Sequence, residues 1–222
     1  MLEPPAHSGA FRQSEILQIA AQLLKKAPKP DYGAECAYLV PGKLTLLRGP
    51  SNTERSRFAM GLVCGLTEST HSKPPGPVLC FNRRWLSGEA IRMLLQHEVG
   101  RHLRRHDGNH EEAMIQAVEH IQSSGFAYET QCRTVEAICA KVREQQALQP
   151  ARCIVVDGLE HFNPEGAGDS HSPNRSEQLI QLKQLARTNA LPILATCPSL
   201  PEAKNHGAPE EADYSIYLRR NA

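Results

Sequence analysis

The segment Gly42–Leu62, GKLTLLRGPSNTERSRFAMGL, constrains the fold more than any other part of the chain. Leu44–Leu47 is a short apolar run entered through the turn dipeptide Pro41-Gly42, which predicts a buried strand. Ser56–Leu66 places Phe58, Leu62 and Leu66 on one helical face, and Gly49–Arg55 lies between the two as a loop. A strand passing through a loop into a helix is a frame that binds phosphate, because backbone N–H groups converge there. The complete pattern is G-x-x-x-x-G-K-[ST]: glycines let the backbone close on phosphate, Lys neutralises charge and the hydroxyl holds Mg²⁺. Here the frame reads Gly49-Pro50-Ser51-Asn52-Thr53-Glu54-Arg55-Ser56. The first Gly and the final Ser stand, while Glu54 replaces the second Gly and Arg55 replaces Lys. Taken alone, the octapeptide is better read as a Pro/Ser/Asn surface turn.

The remainder of the chain changes that balance. With 222 residues, 40% of them hydrophobic, there is enough chain for one sizeable domain with its own core. A net charge of +1 excludes a global basic signature, so any nucleic-acid surface has to be local. Cys36, Cys64, Cys80, Cys132, Cys139, Cys153 and Cys197 fall mostly in apolar runs without a C-x-x-C pair. They read as reduced, buried side chains of an intracellular protein, cytoplasmic or, in a eukaryote, nuclear. The start, MLEPPAHSGAF, has neither the basic nor the apolar region of a signal peptide. No stretch approaches the roughly 18 apolar residues of a spanning helix, so no membrane association is expected.

Apolar runs and helical periodicities alternate along the chain. Residues 1–13 are Pro-rich and polar and are expected to be disordered. Ser14–Lys26 carries Ile16, Ile19, Ala20 and Leu23 at helical spacing, stopped by Pro28 and Pro30. Pro77–Phe81, Cys153–Val156, Leu191–Thr196 and Tyr214–Leu218 are further strand candidates. Between them, helical faces are carried by Ile91, Leu94 and Leu95; by Met114, Ala117, Val118 and Ile121; by Val135, Ile138, Cys139 and Val142; and by Leu179, Leu182, Leu185 and Ala186. This alternation predicts an α/β domain with a mainly parallel sheet covered on both faces. Ligands of such sheets sit beyond the carboxyl ends of the strands, where Gly49–Ser56, Asn82–Trp85, Asp157 and Cys197-Pro198 all fall.

Taken together, these segments resemble the motor domain of DnaB-type replicative helicases, a RecA-like P-loop ATPase. Pro41–Ala59 is similar to that family's P-G-D-L-I-I-[…]-R-P-S-M-G-K-T-x-x-A, with the Pro50-Ser51 pair retained. PVLCFNRRWLS, Pro77–Ser87, resembles the strand ending in S-L-E-M-S, and IVVDGLEHF, Ile154–Phe162, resembles the Walker B segment I-V-I-D-Y-L-Q-L-I. Leu182–Ala186 and PILAT at 192–196 are similar to L-K-x-L-A and the strand that ends in a γ-phosphate-sensing Gln, and Ala212-Asp213 also matches. The likeness runs in order over Asp31–Arg219, which implies a single RecA-like domain over 14–222: a helix and linker over 14–30, then an α/β core over 31–222.

That resemblance implies a nucleotide site made of Gly49, Pro50, Ser51, Asn52, Thr53, Glu54, Arg55, Ser56 and Asp157, with Ser56 and Asp157 holding Mg²⁺ if ATP binds. It also implies that the site is damaged. Glu54 stands where a Gly should take positive φ, an expected strain of about 1–2 kcal/mol. Arg55 keeps the charge, but its planar fork suits a tight loop poorly. The catalytic glutamate position aligns with Arg84, which cannot act as a base, and the sensor position with Pro198, which has no side-chain hydrogen-bonding group. The arginine finger and collar domain of the family also have no counterpart in this sequence. The expectation is a hydrolytically impaired accessory or regulatory subunit in DNA replication, recombination or repair, working with a RecA-like partner or as a homo-oligomer. Two alternatives stay open: an atypical ATPase completed by a partner chain, and an interaction scaffold that binds no nucleotide.

Two further clusters stand outside that frame. Arg101, Arg104 and Arg105, with Arg83 and Arg84 nearby and Arg175 beyond the Asn163–Asn174 loop, offer a local phosphate-contacting surface for DNA. The commoner role for such a run is a solvated helix end, and only Trp85 is at hand for stacking. His102, His106 and His110 recur at i, i+4, i+8, but without a Cys and with Gly108 in the run they read as an exposed helix end rather than a metal site.

Overall fold

The apolar runs do form the strands. The computed structural model describes residues 16, 17, 19, 39–49, 51–68, 76–84, 87–105, 109–123, 125–162, 175–198 and 212–218. Strands β1 (Leu44–Gly49), β2 (Val78–Asn82), β4 (Cys153–Asp157), β5 (Ile193–Pro198) and β6 (Tyr214–Tyr217) match the five expected runs. A sixth, β3 (Phe126–Glu129), was not expected from the sequence. All adjacent pairs are parallel, in the order β3-β2-β4-β5-β1-β6.

Among the described residues, the helices with both ends defined are α1 (Asn52–Glu68), α2 (Ser87–Arg105), α3 (His110–Ser123), α4 (Val135–Leu148) and α5 (Arg175–Asn189), and they cover the sheet. Strand side chains alternate between faces, so each strand feeds two cores. Leu47, Val78, Cys80, Val155 and Leu194 pack with α1, α2 and α3 on one face. Leu44, Leu46, Phe81, Ile154, Val156 and Ile193 pack with α4 and α5 on the other. Burial on both faces is why β2 and β4 read as near-continuous apolar runs and why β1 is interrupted before Arg48 only by the buried Thr45. Ile16, Leu17 and Ile19, the described part of the expected N-terminal helix, are helical, and Ile16 and Ile19 join the first core. Cys64, Cys80, Cys139, Cys153 and Cys197 are buried and unbridged, and Cys132 is half-buried.

Local signals set the helix ends. Thr134, extended at φ −133°, accepts the Ala137 N–H at 3.2 Å and caps α4. Asn109 Oδ1 likewise accepts the Glu112 N–H at 3.2 Å at the start of α3. At the amino edge, Asp213 ties β6 to β1: its Oδ2 accepts the Leu44 N–H at 3.0 Å and its own N–H reaches the Leu44 carbonyl at 2.9 Å. This parallel order brings the carboxyl ends of β1, β2, β4 and β5 side by side, which is where the expected site falls.

Candidate functional site

Residues 49–56 are built differently from the phosphate-binding frame that their sequence resembles. Helix α1 starts at Asn52, so only Pro50 and Ser51 separate it from β1. The expected loop through Arg55 and helix start at Ser56 are corrected accordingly. Ser51 caps the helix: its carbonyl accepts the Arg55 N–H at 3.1 Å and its hydroxyl the Glu54 N–H at 3.4 Å. Ser51-Asn52-Thr53-Glu54 has the S-x-x-E spacing of a capping box, a competing pattern within the same octapeptide. Glu54 therefore lies in the first helical turn, where a carboxylate suits the helix dipole. The strain expected there does not arise, since Ala190 is the only described non-glycine with positive φ.

Arg55 points inward. Its side chain is 1% exposed, with Nη1 donating to the Gly49 carbonyl at 2.6 Å and Nη2 to Glu160 Oε1 at 2.7 Å. A Cβ at Gly49 would stand 3.3 Å from Arg55 Cγ and 3.1 Å from Leu218 Cβ. Gly49 thus gives the arginine stem room, and its carbonyl is spent on the guanidinium.

Beside this pair lies a polar knot centred on Asp157, which is 2% exposed. Ser56 Oγ and Asn82 Nδ2 both donate to Asp157 Oδ2, and Thr196 Oγ1 donates to Oδ1, each at 2.7 Å. The register explains the meeting, since Asn82 pairs with Asp157 across β2 and β4, and β5 runs alongside β4. Burial pushes the Asp157 carboxyl above its ordinary value; the Ser56, Thr196 and Asn82 hydrogen bonds pull it back without cancelling the shift, and the Glu160 charge adds to it.

Gly158 turns the chain after β4 at φ +80° and donates its N–H to Thr196 Oγ1 at 2.8 Å. The 3₁₀ turn that follows, Leu159–His161, presents Glu160 to Arg55. Gly158→Ala is expected to cost about 1–2 kcal/mol, because a Cβ there forces a left-handed L-residue. It would also meet His161 Cδ2 at 2.8 Å. A denaturation midpoint unchanged from wild type would show that the turn relaxes elsewhere.

Other expected site residues disperse. Arg84 is exposed, its backbone N–H held by Asn82 Oδ1 at 2.6 Å, and Pro198 ends β5. Arg101, expected on a nucleic-acid surface, is instead buried on α2 and paired with Glu98 one turn earlier. Arg175 opens α5 half-buried. Arg104 and Arg105 end α2, but the side chain of Arg105 lies outside the described residues, as do that of Arg104, Pro50, Trp85, His106, Gly108 and the 163–174 loop. His102 lies 3.8 Å from Glu98, His110 is exposed, and among the described residues no group of three or more ligating side chains could hold a metal. Glu160 and Thr196 are the site residues that sequence reasoning missed. A buried Arg needs a carboxylate, and Glu160 was the acidic residue nearest to Asp157 along the chain.

No family model matches the sequence, and no curated protein matches it. Solved structures do match. The chain aligns with a structure described as a DnaB-like replicative helicase and its interactions with primase, with a TM-score of 0.65 and 16% identity over 97% of this chain and 57% of that one. It aligns with a second structure, described as an ATPase domain, with a TM-score of 0.61 and 16% identity over 95% of this chain and 84% of that one. The fold is that of a DnaB-type, RecA-like domain.

Identity at this level carries the fold alone, so the chemistry has to come from the side chains. The DnaB-type frame keeps a hydroxyl and a carboxylate, Ser56 and Asp157, within hydrogen-bond distance. It does not fit a bound triphosphate as it stands. Only Pro50 and Ser51 separate β1 from α1, the Ser51 hydroxyl accepts the Glu54 N–H, and the Arg55 guanidinium lies inward on the Gly49 carbonyl. The cleft remaining between Arg55, Ser56, Asp157 and His161 offers about 10 Å³, the space of a single water. Small-molecule sites usually enclose about 300–1,000 Å³. No described helix is long and apolar enough to cross a membrane.

Proposed function

We propose that this chain is a DnaB-type domain that does not turn over nucleotide and serves as an accessory or regulatory subunit in DNA replication, recombination or repair. It docks to a RecA-like partner that supplies the hydrolysis. The observation that carries the reading is Arg55, buried in the first turns of α1 and bonded to Gly49 and Glu160. A residue in that state neutralises a carboxylate of its own chain. The positions around it agree: the guanidinium of Arg84 cannot take a proton from water, and Pro198 cannot sense a phosphate. The link to DNA metabolism comes from the likeness to a DnaB-like replicative helicase.

MgATP titrated to millimolar concentration is expected to leave the melting temperature unchanged and to release no phosphate. A ligand at 100 times its Kd would add about 2.7 kcal/mol, or roughly 5–10 °C for a domain of this size. Such a shift, or turnover by the chain alone, would sink the proposal. Added to a competent DnaB-type helicase, the chain is expected to change that helicase's ATPase rate. A second reading, a nucleotide site completed by another chain, is favoured by the Ser56–Asp157 contact at 2.7 Å. It differs in one result: ATP binding would appear once the partner is added and vanish with Ser56→Ala.

A further inference from the structure

The anion that Arg55 holds belongs to the chain itself. Glu160 Oε1 stands 2.7 Å from Arg55 Nη2, and Arg55 in turn lines a cleft with Ser56, Asn82, Asp157 and Arg84. A guanidinium offers the same planar fork to carboxylate and to phosphate, so Glu160 and a phosphoryl oxygen compete for one set of N–H donors. We propose that Glu160 is an internal stand-in for phosphate: it latches the Arg55 cleft shut, and neutralising it opens the cleft to polyphosphate anions such as the tail of a nucleoside triphosphate. The inference rests on the closed site described under Proposed function and gives Glu160 the part of holding the guanidinium inward.

Three observations favour a latch over an incidental surface pair. The turn that carries Glu160 is anchored on both sides, by Gly158 N–H to Thr196 Oγ1 at 2.8 Å and by Gln178 Nε2 to the Phe162 carbonyl at 2.7 Å. Its position is therefore built into the fold. The two partners are also unequal, with Arg55 1% exposed and Glu160 19% exposed. The carboxylate is the outer member and can swing away while the arginine stays. Finally, Glu160 adds to the negative charge felt by Asp157. A carboxylate paired with a residue that lines so small a cleft repels an incoming anion, and neutralising it removes that barrier. As it stands the cleft offers about 10 Å³, the space of a single water, so room for a phosphate group comes only when the Glu160 carboxylate swings away.

Glu160→Gln keeps the side-chain shape, and the family segment I-V-I-D-Y-L-Q-L-I carries Gln at this place, so the fold is expected to tolerate it. The probes are MgATP and inorganic pyrophosphate, read by thermal shift and by titration calorimetry. Wild type is expected to show no saturable binding to millimolar concentration. Glu160→Gln is expected to bind both saturably, with a rise of roughly 5–10 °C at 100 times Kd. Adding Arg55→Met to that variant is expected to abolish the gain. Glu160→Ala, read in the same way, guards against a Gln side chain that re-forms the contact. If both neutral variants fold, by circular dichroism, and neither gains binding, the latch is overturned while the closed site stands. Binding that persists with Arg55→Met also overturns it, because the ligand then sits elsewhere. Binding of ATP by wild type would overturn the closed site and the latch together.

Discussion

Arg55→Ala is expected to lower the stability of the folded chain by about 3 kcal/mol, a fall of roughly 6–12 °C in melting temperature. The substitution removes a buried guanidinium and leaves the Gly49 carbonyl and the Glu160 carboxylate without the donors that meet them at 2.6 and 2.7 Å. Breaking a fully buried pair costs about 3–5 kcal/mol. The lower end applies because Glu160 is partly exposed and can be solvated. Alanine's better helix propensity returns only a few tenths of a kcal/mol. Lysine in place of Arg55 carries a point charge that cannot serve both partners with a planar fork, so Arg55→Lys should fall between. Arg55→Met with Glu160→Gln fills the space without a buried charge and should recover part of the loss. Urea denaturation decides the matter. In an open phosphate loop the same side chain would face solvent, and Ala would cost under about 0.5 kcal/mol. A loss that small would mean that Arg55 does not close the site.

The legible parts of the fold were those where one physical rule acted alone. Leu44–Leu47 and Cys153–Val156 are apolar on both strand faces because both are covered, and no helix is that short. Phe126–Glu129 is an edge strand of four residues with one face only half-buried, and its Phe-Ala-Tyr-Glu pattern is too brief to register as alternation. The octapeptide at 49–56 was misjudged because two patterns share it. Ser51 and Glu54 have capping-box spacing, the Ser51 hydroxyl accepts the Glu54 N–H, and the helix starts at Asn52, ahead of the expected phosphate loop's end. Arg101 was placed on the surface by composition, although Glu98 three residues earlier on a buried helical face marked it as an internal pair. Glu160 had no local signal, because its partner lies 105 residues away in the chain and the two meet only through the order of β1, β5 and β4.

Asp157→Ala is expected to cost about 3 kcal/mol at neutral pH, since it removes the acceptor of three buried hydrogen bonds at once. Its pH dependence separates the two readings of the site. Burial holds the folded Asp157 carboxyl above its ordinary value of 3.8, so the folded state keeps a proton that the unfolded state has already lost. The stability tied to that proton is complete below about pH 3.8 and is lost as pH rises through the higher folded value. The advantage of wild type over Asp157→Asn should therefore be largest in acid and shrink toward neutrality. Asp213 contributes the opposite slope. Its own burial is outweighed by the Leu44 N–H and by Lys183 and Lys43, which together hold it below 3.8. Comparing wild type with Asp157→Asn cancels that contribution, because Asp213 is present in both. A site preorganised for Mg²⁺ requires the reverse, with three donors holding Asp157 ionised and wild type gaining on the variant as pH rises through about 4. A rising difference would therefore favour the partner-completed nucleotide site, and a falling one marks Asp157 as the centre of a closed polar knot.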